Sequence, residues 1–197
     1  MTAQEKDYLT LISAARHADN IVTLALAGVI SMRHLRKSPY DVPIAGLDKD
    51  ELLVMQQMYF PKSQLSFDSM SFNFFLRDRL DEFDDLLSLI MEHRSVKDRK
   101  SRWLAHAVAT ACMSENHLWQ DMGLPNRAIL SRLMAQYFTP LARRNVNNMK
   151  WKKFFYRQLC ELAGLRICRS PSCSVCDDYL SCFDSTESSS GHLLTTA

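Results

Sequence analysis

Apolar positions recur every three or four residues along most of the chain, the spacing that lines one face of an α-helix. The pattern predicts helices over 4–17 and 19–37, with Asp19 placed to cap the second and Ser38-Pro39 to stop it. A loop then runs to Gly46-Leu47. Asp48 and Glu51 have the spacing of a capping box, opening a helix through Tyr59 that Pro61 ends. Ser71 to His93 reads as a further helix, carrying the acidic stretch from Asp78 to Glu92. Residues 100–122 read as one alanine-rich helix that Gly123 stops, with Pro125 beyond it. Asn126 can cap the next, in which Leu130, Leu133, Met134, Tyr137 and Leu141 keep helical spacing while Thr139-Pro140 breaks or re-caps it. A last helix spans Asn148 to Glu161.

Two stretches resemble each other. GLDKDELLVMQQMYFP (Gly46 to Pro61) and GLPNRAILSRLMAQYFTP (Gly123 to Pro140) share a Gly-Leu start, one helix and a Tyr-Phe pair closed by a nearby proline. His34-Leu35 and His117-Leu118 precede them. An old duplication of a helical pair would explain this; so would the general habit of helices to start and stop on such residues. After Gly164 the character changes. The expected organisation is a single all-α domain over 1–165, a cysteine-rich metal-cluster loop over 166–183, and a Ser/Thr-rich disordered tail over 184–197.

Composition adds limits rather than a function. Apolar residues make up 47% and charged residues 23%, the balance of an ordinary globular protein, and only 5 Gly and 6 Pro argue against a loop-rich β-sandwich. A formal net charge of +2 selects no partner. The longest apolar run, Ile21 to Ile30, is too short to cross a bilayer and reads as a core helix. The start, MTAQEKDYLT, lacks the basic and apolar regions of a signal peptide. No membrane association is expected, and the expected compartment is the cytoplasm, where thiols stay reduced.

That compartment sharpens the cysteine pattern, Cys168-x4-Cys173-x2-Cys176-x5-Cys182. Short intervals bring soft thiolates together at low loop-closure entropy, as a metal centre requires. Two disulfides fit the count but not a reducing compartment or a chain with its own core. Structural zinc is the serious competitor, although most four-cysteine zinc sites use two separated C-x2-C knuckles and here there is one. The first three cysteines follow the C-x4-C-x2-C opening of plant-type ferredoxins, with the fourth arriving sooner, so spacing favours an iron–sulfur centre over zinc. Cys112 and Cys160 lie on helices and read as inert thiols, with Cys160 close enough to the loop to be a further ligand.

Upstream, the stretch from Ala142 to Arg169 is rich in cations, Arg143, Arg144, Lys150, Lys152, Lys153, Arg157, Arg166 and Arg169, against one acid, Glu161. Trp151, Phe154, Phe155 and Tyr156 interleave. Basic residues with aromatics suit nucleic acid; an amphipathic helix with a solvated basic face explains the same pattern. Cations beside the site would also stabilise an anionic cluster or an oxyanion such as molybdate, which makes Arg166 and Arg169 candidates for that role. Lys150, Lys152, Lys153 and Arg157 are candidates for docking an acidic partner. In HLWQDMGL, His117 and Asp121 fall at i,i+4, on one face of the expected helix 100–122. They can serve as a pair supporting a metal or oxyanion, or simply as a structural hydrogen bond. His106 carries the same ambiguity.

HLWQDMGL, the run MKWKKFFYRQLCE from Met149 to Glu161 and the terminal C-x4-C-x2-C-x5-C together resemble NifQ, a family of molybdenum-dependent nitrogen fixation. The resemblance spans roughly residues 100 to 183, and no cysteine departs from it. It implies a protein that holds a molybdenum–iron–sulfur cluster, built from an iron–sulfur precursor plus molybdate, and supplies molybdenum for the nitrogenase iron–molybdenum cofactor. It also implies Cys168, Cys173, Cys176 and Cys182 as cluster ligands, and the nitrogenase iron protein and the NifEN scaffold as partners. Nothing in composition or spacing indicates molybdenum. The roles given to His117, Asp121 and the basic residues come from their own chemistry. A cluster carrier fits better than a catalyst, since no nucleotide-binding loop or catalytic triad stands out. The rival is a zinc-stabilised helical module that binds nucleic acid or another acidic partner through 143–169.

Overall fold

Among the described residues every regular element is helical, as the periodicity predicts. The computed structural model of the protein describes residues 1–64, 66–67 and 77–162. The chain packs as two compact units, Met1–Arg144 and Asn145–Ala197. In the first, α1 (Ala3–Ser13) leads to α2 (Ile21–Ser31), a 3-10 turn (Met32–Leu35) and α3 (Lys49–Tyr59). Next come α4 (Arg77–Glu92), α5 (Arg99–Cys112), the single turn α6 (Leu118–Asp121), α7 (Arg127–Tyr137) and α8 (Thr139–Arg144). The second unit holds α9 (Trp151–Leu162). The expected starts at 71 and the expected tail at 184–197 lie outside the described residues.

Several boundaries differ from those expected, and local hydrogen bonding explains each. The first helix ends at Ser13, not at 17, because the Arg16 N–H is spent on the Tyr59 carbonyl at 3.1 Å. Asn20 rather than Asp19 caps α2, its side chain accepting from Val22 N at 2.9 Å. That helix gives way to the 3-10 turn well before Ser38-Pro39. The capping box at α3 is half formed: Asp48 accepts from Glu51 N at 2.8 Å, but the Glu51 carboxylate is engaged elsewhere. Thr139-Pro140 does re-cap the chain, separating α7 from α8 with Pro140 in the first turn, where a missing N–H costs nothing. The last helix starts at Trp151, not Asn148, because Asn148 is left-handed (φ 50) and Asn145 closes a loop onto Met149 N at 2.8 Å.

α2 and α5 form the centre of the first unit and pack on each other, with α1 laid on α2 and α4 on α5. α2 is apolar almost all round, and every residue from Trp103 to Cys112 is buried, which marks both as interior helices.

The internal likeness seen in the sequence is structural. Gly46 (φ 74) and Gly123 (φ 62) each lead into a helix whose cap is an Asx side chain, Asp48 or Asn126. Each helix closes on a buried phenylalanine whose N–H donates four residues back, Phe60 to Gln56 O at 2.7 Å and Phe138 to Met134 O at 2.9 Å. The preceding tyrosine carbonyl is bonded alike in both, Tyr59 O by Arg16 N and Tyr137 O by Ser95 N at 2.8 Å. Asn20 and Asp98, which cap α2 and α5, are separated by the same sequence interval as Asp48 and Asn126. So α1–α2–α3 and α4–α5–α7 are equivalent halves.

The halves interlock through their glycines. A Cβ on Gly123 would stand 2.7 Å from Gly28 Cα on α2, and one on Gly46 would stand 2.8 Å from His106 Nδ1 on α5. Gly28 and His106 are equivalent positions, so each half sets its glycine turn against the other half's central helix.

Candidate functional site

The connectors that follow the two central helices, 32–45 and 113–122, carry most of the buried charge of the first unit. In the first connector the Arg36 guanidinium donates to four main-chain carbonyls: Tyr40 at 2.6 Å, Val29 at 3.0 Å, Val42 at 2.7 Å and Pro43 at 3.1 Å. Burial pulls Arg36 down to about 10, and neighbouring Arg33 adds to the fall, while Asp121 and Asp41 oppose it; the group stays charged at neutral pH. Arg33 is nearly as buried and pairs with Asp7 of α1, which also meets His34 Nε2 at 2.8 Å. Sequence reasoning passed over both arginines; the signal was two arginines inside RHLRK, directly after the most apolar helix of the chain.

The second connector corrects the expected helix over 100–122. α5 ends at Cys112 and α6 restarts at Leu118, with His117 at the cap position in extended conformation (φ −63, ψ 144). His117 and Asp121 therefore do not share a helix face as an i,i+4 pair. Ser114 and Asn116 are weaker helix formers than the alanines before them, and the break lets Asn116 Nδ2 donate to Asp121 Oδ1 at 3.0 Å. Asp121 is 1% exposed and lies in the field of Arg36. A carboxylate this buried needs both a donor and an opposing charge. Lys37 and Glu115, 2.6 Å apart and exposed, mark the same meeting of the two connectors at the surface. On α6 the Trp119 indole Nε1 is buried with no hydrogen-bond partner among the described residues, a group overlooked in the sequence.

His106 resolves as a core histidine. It is buried against Gly46, with Nδ1 3.0 Å from the Ala45 carbonyl. Burial holds its pKa below the ordinary histidine value, the Ala45 bond opposes that, and Arg102 adds to the depression. Nδ1 thus carries the proton of a neutral ring. In the unfolded chain the ring takes a second proton at a higher pH than in the fold. Between those two values the unfolded state holds more protons, so stability present above about pH 6.5 is lost as pH falls. The variant His106→Asn should flatten the decline of the urea midpoint between neutral and mildly acidic buffer. An unchanged slope would show that His106 does not contribute to it.

Glu51 shows where the other half of its expected capping box went. Its carboxylate takes Trp103 Nε1 at 2.6 Å and Arg102 Nη1 at 3.0 Å, linking α3 to α5.

In the second unit, Trp151, Phe154 and Phe155 cluster with ring centroids 5.8–5.9 Å apart and are buried. Opposite them Lys153 and Arg157 are exposed, while Lys150 and Lys152 are half-buried. Arg157 also pairs with Glu161 at 2.9 Å, an exposed i,i+4 bridge of small energetic value. The basic face predicted for α9 is therefore present. Cys112 is buried and Cys160 half-buried, and neither is in a disulfide among the described residues. Cys168, Cys173, Cys176 and Cys182, with Arg166 and Arg169, lie outside the described residues. Among the described residues no three His, Cys, Asp or Glu side chains converge as a metal site, and no helix is long and apolar enough to cross a membrane.

A family model described as NifQ matches residues 9–184, an interval that encloses all four cysteines and ends before most of the tail. Protein NifQ of Azotobacter vinelandii is 47% identical over 108 residues, covering 55% of this chain and 55% of that protein. Protein NifQ of Rhodobacter capsulatus is 46% identical over 96 residues, 49% of this chain and 53% of that one. For Protein NifQ of Klebsiella pneumoniae the identity is 50% over 82 residues, 41% and 49% of the two chains. The chain thus spans about half the length of the curated relatives it matches. No solved structure matches it.

Proposed function

The chain belongs to the NifQ family, and on that premise we propose that it serves molybdenum-dependent nitrogen fixation as a carrier of molybdenum. Its cargo is a molybdenum–iron–sulfur cluster, held by Cys168, Cys173, Cys176 and Cys182 and passed on for assembly of the nitrogenase iron–molybdenum cofactor. The observation that carries this reading is the four-cysteine spacing itself, which the family match spans from end to end. Four soft thiolates suit an iron–sulfur centre, and molybdenum enters as cargo by way of the family.

The partners proposed are the nitrogenase iron protein and the NifEN scaffold, in the cytoplasm. The exposed cations of α9, Lys153 and Arg157, support docking on an acidic surface, with Lys150 and Lys152 beside them. Exposed charges of this kind raise encounter rates more than affinity and are screened over ~8–10 Å at physiological salt. His117 and Asp121 have a different part in this reading. Asp121 accepts from Asn116 and lies in the field of Arg36, so it braces the connector that carries HLWQDMGL.

Protein expressed with iron and molybdate and purified without oxygen should be brown, with iron, sulfide and molybdenum in the preparation. Thiolate-to-iron charge transfer supplies the colour; zinc, with its filled d shell, supplies none. A colourless preparation holding one zinc per chain would overturn the cluster and promote the zinc-stabilised module.

A further inference from the structure

We propose that the corner where the N-terminus of α5 meets the α7–α8 junction is a docking surface for an acidic patch on a partner protein, independent of the metal reading. Arg94, Lys97, Arg99, Lys100 and Arg102 lie in one short stretch whose single acid is Asp98. Asp98 is spent as the α5 cap, its carboxylate accepting from Ser101 N at 2.7 Å. That hydrogen bond is the main reason its pKa lies below the ordinary aspartate value. The stretch is tied to α8: Ser95 Oγ meets Thr139 Oγ1 at 2.8 Å, and Thr139 N donates to Ser95 Oγ at 2.9 Å. Arg143 follows Thr139 by about one helical turn, or ~6 Å of rise. Lys100 lies 5.8 Å over the Tyr137 ring, closing the corner from the α7 side. Lys97, Arg99 and Arg143 are exposed, and none of them forms an ion pair among the described residues.

Folding does not explain these cations. The first turn of a helix carries the positive end of the backbone dipole, where a cation is unfavourable, and α5 has no acid there. The equivalent half of the chain supplies the comparison. At the positions matching Lys97, Arg99 and Lys100 stand Asp19, Ile21 and Val22, and Ile21 and Val22 are buried. The same architectural corner is therefore built once with apolar residues in its first turn and once with exposed positive charge. A local rule broken at the surface in only one of two equivalent places points to a partner.

The pattern fits an acidic protein surface better than a nucleic acid. Val96, 63% exposed, sits within the cations, as an apolar centre within a polar rim does at protein interfaces. A duplex would carry its phosphates past the corner toward α4, which packs on α5 and exposes Glu82, Asp84, Asp85 and Glu92. Those carboxylates would repel a long polyanion and leave a compact acidic patch undisturbed.

Fluorescence anisotropy of the full chain with a labelled oligoglutamate peptide, and in parallel with a labelled DNA duplex, tests the surface. The peptide should bind in a salt-sensitive manner, and K97E/R99E/R143E should weaken it about tenfold or more. R16E, at the matching corner of the other half, should leave binding unchanged. Should the triple variant lose its helical circular dichroism, the neutral pair K97Q/R99Q is read in its place, with a smaller loss in the same direction. Equal peptide affinity for the wild type and the charge-altered protein would overturn the proposal. So would duplex binding tighter than peptide binding and abolished by the same substitutions.

Discussion

Replacing any one of Cys168, Cys173, Cys176 or Cys182 with alanine should strip the protein of its metal while leaving its helical circular dichroism in place. The two readouts separate because they rest on different parts of the chain. The described interior of Met1–Arg144 is filled by α2 and α5 and by the side chains packed around them. A cluster, by contrast, is held by very few bonds, and a lost thiolate leaves an open iron site. Removing even an outer partner of a metal ligand commonly costs ten- to a hundredfold in affinity, so losing a ligand should lower iron per chain by at least about tenfold. Cys112→Ala serves as the internal control: its thiol is 4% exposed, so its substitution should keep the metal and cost only some packing. Iron and sulfide analysis after anaerobic purification gives the answer. Undiminished iron in all four single variants would remove these cysteines from the ligand set.

Gly28→Ala should be the most damaging small substitution in the first unit, although helix propensity predicts a gain. In a helix interior alanine is favoured over glycine by roughly 0.5–1 kcal/mol. The tertiary contact opposes this. A Cβ on Gly28 would lie 2.0 Å from the Met122 carbonyl oxygen and 3.1 Å from Gly123 Cα. Both are main-chain atoms that cannot rotate aside, and Gly123 is already in the left-handed region. Relief requires moving α2 away from the turn before α7, which opens the core around it. Overpacking of this kind costs about 1–3 kcal/mol, and a backbone clash lies at the upper end. The net loss should be about 2–3 kcal/mol, lowering Tm by roughly 5–10 °C for a chain of this size. Differential scanning calorimetry on wild type and variant checks it. A variant that melts at or above the wild type would show that the close approach of the two glycines is not maintained in solution.

How much of this was legible beforehand depends on the range of the interaction concerned. The caps Asp48 and Asn126, the stop at Gly123, the re-capping at Thr139-Pro140 and the apolar character of α2 were all readable from neighbours within a few residues. The basic face of α9 was readable for the same reason: short intervals in sequence become short distances in space. The likeness of Gly46–Pro61 to Gly123–Pro140 was visible but ambiguous as letters. Its meaning came from matching carbonyl partners and from glycines that pack on equivalent positions of the opposite helix.

The sequence by itself determined the all-α class, most of the helix starts, and the close spacing of four cysteines near the C-terminal end. These follow from backbone capping, turn residues and loop-closure entropy, which act locally. Only the tertiary structure decided where the long alanine-rich segment breaks. Helical periodicity runs on through 113–117, and the break is set by a buried Asp121 that needs Asn116 beside it and Arg36 from another connector. Tertiary packing also drew Glu51 away from its cap to Trp103 and Arg102, and made Arg33 and Arg36 interior residues. It set the cations of 94–102 beside α8 as well. Each outcome turns on desolvating a charge and finding it a partner far away in sequence, an energy that no local pattern encodes.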